Sequence, residues 1–274
     1  MKLVLLDLDN TLINSNYELT VPEVKFRTVI QELARKDVQV GLCSDSATIT
    51  LRQWADRLGL TGPIVAERGA VVWNPAEQIE NILEISETAW FRSFRELFVN
   101  NVMRNFQNAT IMIGDATKFV KDRNVSSALT SQIFAINGFR IASFSFFACH
   151  PNSDRSALEP DQKLLEQASA LATEMLKEYD KKKEDLFWDE NSKYGILIVH
   201  ARSTEKWRGV SNLINRLMPT QVVMVGDSMS DYLGLSNVIQ HAVGNADPRY
   251  KEKCAFVSKC PLTEGVVECL EQCL

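Results

Sequence analysis

Two pairs of aspartates follow apolar runs near opposite ends of the 274-residue sequence. Asp7 and Asp9 lie within KLVLLDLDNT, and Asp227 and Asp231 lie within QVVMVGDSMSD. Because the carboxyl ends of parallel strands meet at one edge of a sheet, these four carboxylates would converge there. Each close pair of like charges costs roughly 4 kcal/mol at an effective dielectric of about 20, so the site needs a divalent cation and a lysine. Oxygen ligands without His or Cys favour Mg²⁺.

Such a cluster of charges suits phosphoryl transfer. One carboxylate attacks phosphorus and forms an aspartyl-phosphate, while the metal and a lysine stabilise charge on the transferring oxygens. A second carboxylate protonates the leaving oxygen and then activates water. Ser44, after the apolar run VQVGLC, and the segment before Lys206 add polar groups at further strand ends. In the alternative interpretation, Asp7 and Asp9 are turn or N-cap residues, which are common after strands.

Apolar runs alternate with helical periodicities at both ends of the sequence. KLVLL, VQVGLC and the pair within PIVAERGAVVW predict strands, and VPEVKFRTVIQELARKD and TITLRQWADRL predict the helices between them. The pattern resumes with the predicted helix EKWRGVSNLINRLM, the strand QVVMVG, a helix at SDYLGLSNV and the strand and loop QHAVGNA. This order predicts an α/β fold with a doubly wound parallel-sheet, Rossmann-like core.

The middle of the sequence has a different pattern. SETAWFRSFRELFVNNVMRNF and PDQKLLEQASALATEMLKEYDKKKEDL predict long helices, and the aromatic residues of the first predict a packed core stripe. ATIMIGDA and IFAINGFRIASFSFF predict antiparallel strands, the second interrupted by a turn at Asn137-Gly138. We therefore expect residues 79–199 to form an α+β domain inserted into a core of residues 1–78 and 200–274.

The motifs at both ends resemble those of the haloacid dehalogenase (HAD) superfamily. DLDNT matches its DxDxT signature, and VVMVGDSMSD resembles its GDxxxD motif. AVGNA followed by GVVECL is similar to the C-terminal pattern of the type II-B, Cof-like branch. The inserted segment lies where that branch places its cap domain. The resemblance therefore implies a catalytic core with an inserted cap, which would exclude water and select the substrate.

The resemblance also implies roles for four residues that would act on the substrate. Asp7 would be the nucleophile and Asp9 the general acid and base. Ser44 would donate a hydrogen bond to the phosphoryl group, and Lys206 would bridge that group and the nucleophile.

A metal site is implied by the same resemblance. Asp7, the backbone carbonyl of Asp9, and Asp227 would bind Mg²⁺, and Asp231 would bind it directly or through water. Asn245, in AVGNA, would support the site.

Two motifs depart from the family pattern. Many relatives have an arginine two positions after the Ser or Thr of the second motif, in a TGR-like run, whereas this sequence has Ser46 there. A role for that arginine is therefore missing or is supplied elsewhere. In EKWRGV either Lys206 or Arg208 would be the motif cation. We prefer Lys206, because that alignment places Gly209 and the following apolar residues at small and apolar positions.

The predicted function is a Mg²⁺-dependent phosphatase, a phosphoric monoester hydrolase that acts through an aspartyl-phosphate. Its partner would be a small phosphorylated metabolite, such as a sugar phosphate or a similar phosphomonoester. Two alternatives stay open: a phosphomutase, and a HAD-like binding protein that has lost turnover.

The composition of the sequence argues against several other classes of function. The net charge of −5 and the lack of a basic tract argue against nucleic acid and anionic membranes. No run is long enough to span a bilayer, and the N-terminus does not resemble a signal peptide. We therefore expect a cytoplasmic protein whose six cysteines stay reduced. The cysteines near the C-terminus contain no CxxC pair, so a zinc site is not expected.

Overall fold

A computed structural model describes residues 1–75, 77, 79–82, 89–121 and 129–274 of the chain. These residues belong to two compact units, which we call the core unit (Met1–Leu83 with Thr204–Leu274) and the inserted unit (Glu84–Ser203). Both junctions lie a few residues later than the bounds that the sequence suggested, 78/79 and 199/200. At the first junction the reason is that residues 79–82 pair with residues 71–74 and extend the sheet of the core unit.

Fourteen strands and eight α-helices lie within the described residues. In chain order the strands are β1 (Lys2–Leu6), β2 (Val38–Cys43), β3 (Ile64–Ala66), β4 (Val71–Asn74), β5 (Ile79–Ile82), β6 (Thr110–Gly114), β7 (Ile133–Asn137), β8 (Ser143–Pro151), β9 (Leu158–Pro160), β10 (Leu186–Asn191), β11 (Ile196–Ala201), β12 (Gln221–Gly226), β13 (Val238–Ala242) and β14 (Phe256–Val257). The helices are α1 (Glu23–Arg35), α2 (Thr48–Leu58), α3 (Trp90–Asn105), α4 (Ala116–Lys121), α5 (Gln162–Met175), α6 (Lys206–Leu217), α7 (Pro248–Lys251) and α8 (Leu262–Glu271). No helix in this part of the chain has the length and apolar character that crossing a membrane requires.

The sheet of the core unit has the strand order β14-β13-β12-β1-β2-β3-β4-β5. The pairs from β14 to β3 are parallel, and β4 and β5 extend the sheet as antiparallel strands. Strand β1 lies between β12 and β2, and its residues Leu3–Leu6 are fully buried. An apolar run without alternation is what a central parallel strand covered on both faces requires. The predicted α/β class with a parallel core sheet is confirmed.

One predicted helix of the core unit is wrong. The first two residues of SDYLGLSNV belong to a single 3-10 turn at Met229–Asp231, and the rest is loop until β13 begins at Val238. The turn follows Ser228 and ends at Tyr232, whose backbone is extended, with a φ of −72° and a ψ of 107°. Gly234, with a φ of 64°, lies in the loop beyond that end. The consequence is a short, tightly bonded connection after β12.

The inserted unit has its own sheet, with the order β10-β11-β8-β7-β6 and β9 paired to β8. Strands β7 and β8 are antiparallel on either side of the predicted turn at Asn137 and Gly138. Strand β6, predicted antiparallel, pairs parallel to β7. Helix α4 follows β6 directly, and a parallel pair needs a long crossover of this kind.

The aromatic stripe of the inserted unit is a packed core, as predicted. Phe94 and Phe98 of α3 are fully buried. The ring of Phe98 packs at 4.9 Å from that of Phe144 and at 4.8 Å from that of Phe146, both on β8. Centroid distances in this range are typical of aromatic pairs in cores.

Candidate active site

The strand order brings the predicted charged residues to one edge of the core sheet. Asp7 follows β1, Ser44 follows β2 and Asp227 follows β12, and β1 pairs with both of the other strands. The Asp7 N–H extends the ladder by donating to the Val225 carbonyl oxygen at 2.9 Å. Neighbouring parallel strands therefore end side by side, as the sequence argument required.

Lys206, the first residue of α6, lies between two carboxylates. Its Nζ is 2.8 Å from Asp7 Oδ1 and 2.7 Å from Asp231 Oδ1, and all three side chains are buried. Burial alone would lower the pKa of Lys206, but Asp231 and Asp7 raise it well above its usual range. Lys206 is therefore a permanent positive charge in the site.

Asp231 is fully buried and engaged through both of its oxygens. While Oδ1 accepts from Lys206, Oδ2 accepts from the backbone N–H groups of Asp227 and Ser228, at 3.0 and 3.1 Å. Gly226 makes this geometry possible, because a Cβ there would lie 2.4 Å from Asp231 Oδ2. These contacts connect Asp231, which was predicted to bind the metal directly or through water, to Lys206 and to the Asp227 loop.

Thr11 connects the two distant aspartate pairs. Its hydroxyl lies 3.2 Å from Asp7 Oδ2 and 3.5 Å from Asp227 Oδ1. Oxygens of Asp7, Asp227 and Asp231 lie within 4.8 Å of one another. Thr11 was not among the predicted site residues, although the final position of the DxDxT motif was a signal for it.

The carboxylate cluster carries more negative charge than Lys206 offsets. Burial raises the pKa of Asp7 well above its usual range, and Asp231 raises it further, although Lys206 lowers it in part. Burial and then Asp231 raise the pKa of Asp227 to about 6. Such shifts are expected where carboxylates share a site without enough positive charge. With oxygen donors only, the cluster fits a hard divalent cation.

Comparison with known proteins places this site in a family. Residues 4–270 match the model of the haloacid dehalogenase-like hydrolases. The chain belongs to this family. Its fold is similar to that of a haloacid dehalogenase-like hydrolase from Bacteroides thetaiotaomicron, with a TM-score of 0.67, 17% identity and coverage of 100% of this chain and 99% of that one.

Two curated relatives carry a more specific name. A phosphoglycolate phosphatase from Sulfolobus acidocaldarius is 25% identical and covers 99% of this chain and 96% of its own length. A phosphoglycolate phosphatase from Staphylothermus marinus is 23% identical, with coverage of 100% and 98%. The predicted HAD family is confirmed, and the predicted enzyme class, a phosphoric monoester hydrolase, is supported by the family and by these relatives.

In this HAD-like hydrolase Asp9 is set apart from the ionic cluster. Its Oδ2 accepts a hydrogen bond from the Ser46 hydroxyl at 3.4 Å, and Tyr17 contributes a second side-chain hydrogen bond. Burial raises the pKa of Asp9, and these two hydrogen bonds lower it in part. A carboxyl group with a raised pKa suits proton transfer. Ser46 and Tyr17 were not predicted as site residues; the second motif marked the position of Ser46, and no motif pointed to Tyr17.

Ser44 and Asn245 lie at the margins of the cluster. Ser44 is buried, and its Oγ accepts from the Ser46 N–H at 3.1 Å. Asn245 Nδ2 donates to the Asn10 carbonyl at 2.7 Å, and its Oδ1 accepts from the Leu262 N–H at 2.8 Å. Asn245 therefore connects the loop that follows Asp9 to the first residue of α8, Leu262.

Of the two candidate motif cations, the structure brings Lys206 to the carboxylates. The Arg208 guanidinium lies 5.4 Å from the centre of the Trp207 ring instead. Lys206 and Arg208 lie in the same turn of α6, but side chains two positions apart on a helix point in different directions.

Proposed function

We propose that this HAD-like hydrolase is a Mg²⁺-dependent phosphatase acting on a small phosphorylated metabolite through an aspartyl-phosphate. The observation that carries the proposal is the position of the Asp7 carboxylate, held by Lys206 on one oxygen and by Thr11 on the other, next to Asp227. A buried carboxylate fixed between a cation and further carboxylates suits attack on phosphorus. The two phosphoglycolate phosphatases among the relatives support phosphomonoesters as the substrate class.

The chemistry divides between two aspartates. An Asp7 oxygen attacks the phosphorus atom, the bond between phosphorus and the ester oxygen breaks, and protonated Asp9 donates its proton to the departing alkoxide. Asp9, now ionised, takes a proton from water. The resulting hydroxide attacks the aspartyl-phosphate, which releases inorganic phosphate and regenerates the Asp7 carboxylate. Lys206 and the Ser44 hydroxyl would contact the phosphoryl oxygens.

Asp7, the Asp9 carbonyl and Asp227 are the groups that would hold Mg²⁺, with Asp231 behind them. When bound, Mg²⁺ would supply positive charge that offsets the charge on the transferring oxygens. Asp227 is only half-buried, so its carboxylate is accessible to an entering cation. We propose in addition that the inserted domain, predicted at residues 79–199, serves as the cap that selects the substrate.

The test measures phosphate release from a panel of phosphomonoesters, including sugar phosphates and phosphoglycolate, with Mg²⁺ and with EDTA. We expect turnover that depends on Mg²⁺ and is lost in Asp7→Asn. A matched control is Asp37→Asn, because Asp37 is exposed and has a φ of 58°, which asparagine also adopts readily. Full activity in Asp7→Asn would refute the mechanism. An isomeric product with little free phosphate would identify a phosphomutase, and no turnover of any ester would favour a binding protein.

A further inference from the structure

Three successive residues after β3 adopt the left-handed backbone conformation. The φ angles are 48° at Glu67, 60° at Arg68 and 88° at Gly69. Glycine adopts this conformation freely, but Glu and Arg do so at a conformational cost. Backbone strain of this kind persists where the surrounding structure enforces it, and it is concentrated at functional sites.

The strained turn is packed between two parts of the active site. On one side the N–H of Arg68 donates to the Ser44 carbonyl at 3.4 Å. On the other side a Cβ at Gly69 would lie 2.2 Å from the Glu205 carbonyl oxygen and 3.2 Å from Lys206 Cα. The backbone of Arg68 is therefore fixed between the serine and the lysine that we propose to contact the phosphoryl group.

The side chain of Arg68 forms an ion pair with Asp45, next to Ser44. Its Nη1 lies 3.4 Å from Asp45 Oδ2, and the two side chains are 16% and 34% exposed. Burial raises the pKa of Asp9 and the Asp45 carboxylate adds to that rise, so Asp45 lies within electrostatic reach of the general acid. An ion pair with a separation of 3.4 Å between partly exposed groups is weak. The guanidinium can therefore exchange Asp45 for a more highly charged anion.

The charge at the site calls for a second cation. Lys206 and a bound Mg²⁺ would together offset the three carboxylates of the cluster, and a phosphomonoester brings two further negative charges. Arginine binds phosphate through a fork of N–H donors that lysine lacks. The residue two positions after Ser44 is Ser46, whose hydroxyl donates to Asp9 and brings no positive charge.

We propose that Arg68 is a substrate-binding residue that contacts the anionic phosphate group from the turn after β3. This assignment rests on the proposed phosphatase function. It explains why a strained arginine stands at a position where asparagine or glycine would fit the backbone more easily.

Arg68→Asn tests the proposal, because asparagine removes the charge and suits a left-handed backbone. We expect a melting temperature no lower than that of the wild type. We also expect the dissociation constant of inorganic phosphate, measured by calorimetry with Mg²⁺, and the KM of the best ester to rise at least about tenfold, with a smaller change in kcat. Arg68→Lys should restore part of the affinity. Met218→Asn is the matched control, since Met218 is exposed and has a φ of 46° at the far end of α6.

Each outcome bears on the assignment. Unchanged phosphate affinity in Arg68→Asn would overturn it and leave the phosphatase proposal intact. Weaker affinity together with lower stability, without recovery in Arg68→Lys, would also overturn it, because the turn and not the charge would then matter. A wild type that hydrolyses no ester would defeat the proposed function. Phosphate calorimetry would still decide whether Arg68 binds the anion.

Discussion

Replacing Lys206 by methionine tests the ionic core of the site most directly. Methionine is close to lysine in length and apolar, so it fills the buried path of the side chain while removing the charge. Asp7 and Asp231 would then face each other without the ammonium group that lies 2.8 and 2.7 Å from their oxygens. The perturbation leaves the backbone of α6 and its packing in place.

The structure sets the size of the effect. Lys206 donates two charge-assisted hydrogen bonds, each contributing about 1.5–3 kcal/mol. Removing one partner from a buried ion pair destabilises proteins by about 3–5 kcal/mol, because an uncompensated charge stays behind. Because one of the two carboxylates can take up a proton in the variant, the loss of stability is smaller than the largest sum of these contributions. We therefore expect the free energy of unfolding of Lys206→Met to fall by about 3–5 kcal/mol near neutral pH.

The loss of stability in Lys206→Met should be larger at high pH than at low pH. The pKa of Asp7 in the folded protein is already raised by burial and by Asp231, and removing Lys206 removes a contribution that lowers it. The folded variant then binds a proton that the unfolded chain releases, so its stability falls as pH rises. We expect the difference in the free energy of unfolding between the variant and the wild type to decrease as pH falls from about 8 to about 5.

Urea unfolding in EDTA, followed by circular dichroism at several pH values, measures both effects. Lys25→Met is the control, because Lys25 is exposed on α1, and its change should stay within about 0.5 kcal/mol. A loss below about 1 kcal/mol for Lys206→Met, with the pH dependence of the wild type, would show that the two ion pairs do not hold the site together.

Further expected outcomes concern the close backbone approach, the inserted unit and the metal. Gly226→Ala should displace Asp231 and lower kcat, because its Cβ would lie 2.4 Å from the Asp231 carboxylate. Gly234→Ala is the control: its Cβ would meet only Tyr232 Cε1, at 3.7 Å, so the variant should lose stability but keep its kcat. Equal kcat values for the two variants would contradict this reasoning. Phe98→Ala should cost about 3–5 kcal/mol in chemical unfolding, because a fully buried ring is lost from the aromatic core. Adding Mg²⁺ to the EDTA-treated protein should raise its melting temperature with a concentration dependence that fits one site, whereas a Ca²⁺-specific or absent shift would count against magnesium.

Much of the site follows from the sequence because strand order fixes where charges meet. Asp7 and Asp227 each end an uninterrupted apolar run, and such runs form the central strands of a parallel sheet. The side-by-side pairing of β1 and β12 then brings the two aspartates together without any knowledge of the loops. Lys206 could be chosen over Arg208 because small and apolar residues follow it in the order that the family pattern requires.

Loop geometry, in contrast, could not be predicted from local pattern. SDYLGLSNV has helical periodicity, but the extended backbone at Tyr232 ends the helix after a single 3-10 turn. The left-handed turn at Glu67–Gly69 has no signal in ERG beyond its glycine, because contacts with Ser44 and Glu205 from distant segments enforce it. The parallel pairing of β6 likewise depends on a crossover, which strand propensity does not report.

Asp231 was predicted to bind the metal directly or through water, and the geometry of the loop after β12 bears on that role. With Lys206 on one oxygen and two backbone N–H groups on the other, Asp231 is held in place by protein donors alone. Among the described residues, the Asp227 carboxylate has no comparable set of hydrogen-bond donors, and its side-chain contact is the Thr11 hydroxyl at 3.5 Å. Burial and Asp231 raise the pKa of Asp227 to about 6. Removal of the cation should therefore leave Lys206 and Asp231 in position and release mainly Asp227. In the proposed mechanism Asp7 would thus be preorganised by the chain itself, and a divalent cation would complete the outer side of a site that is already formed.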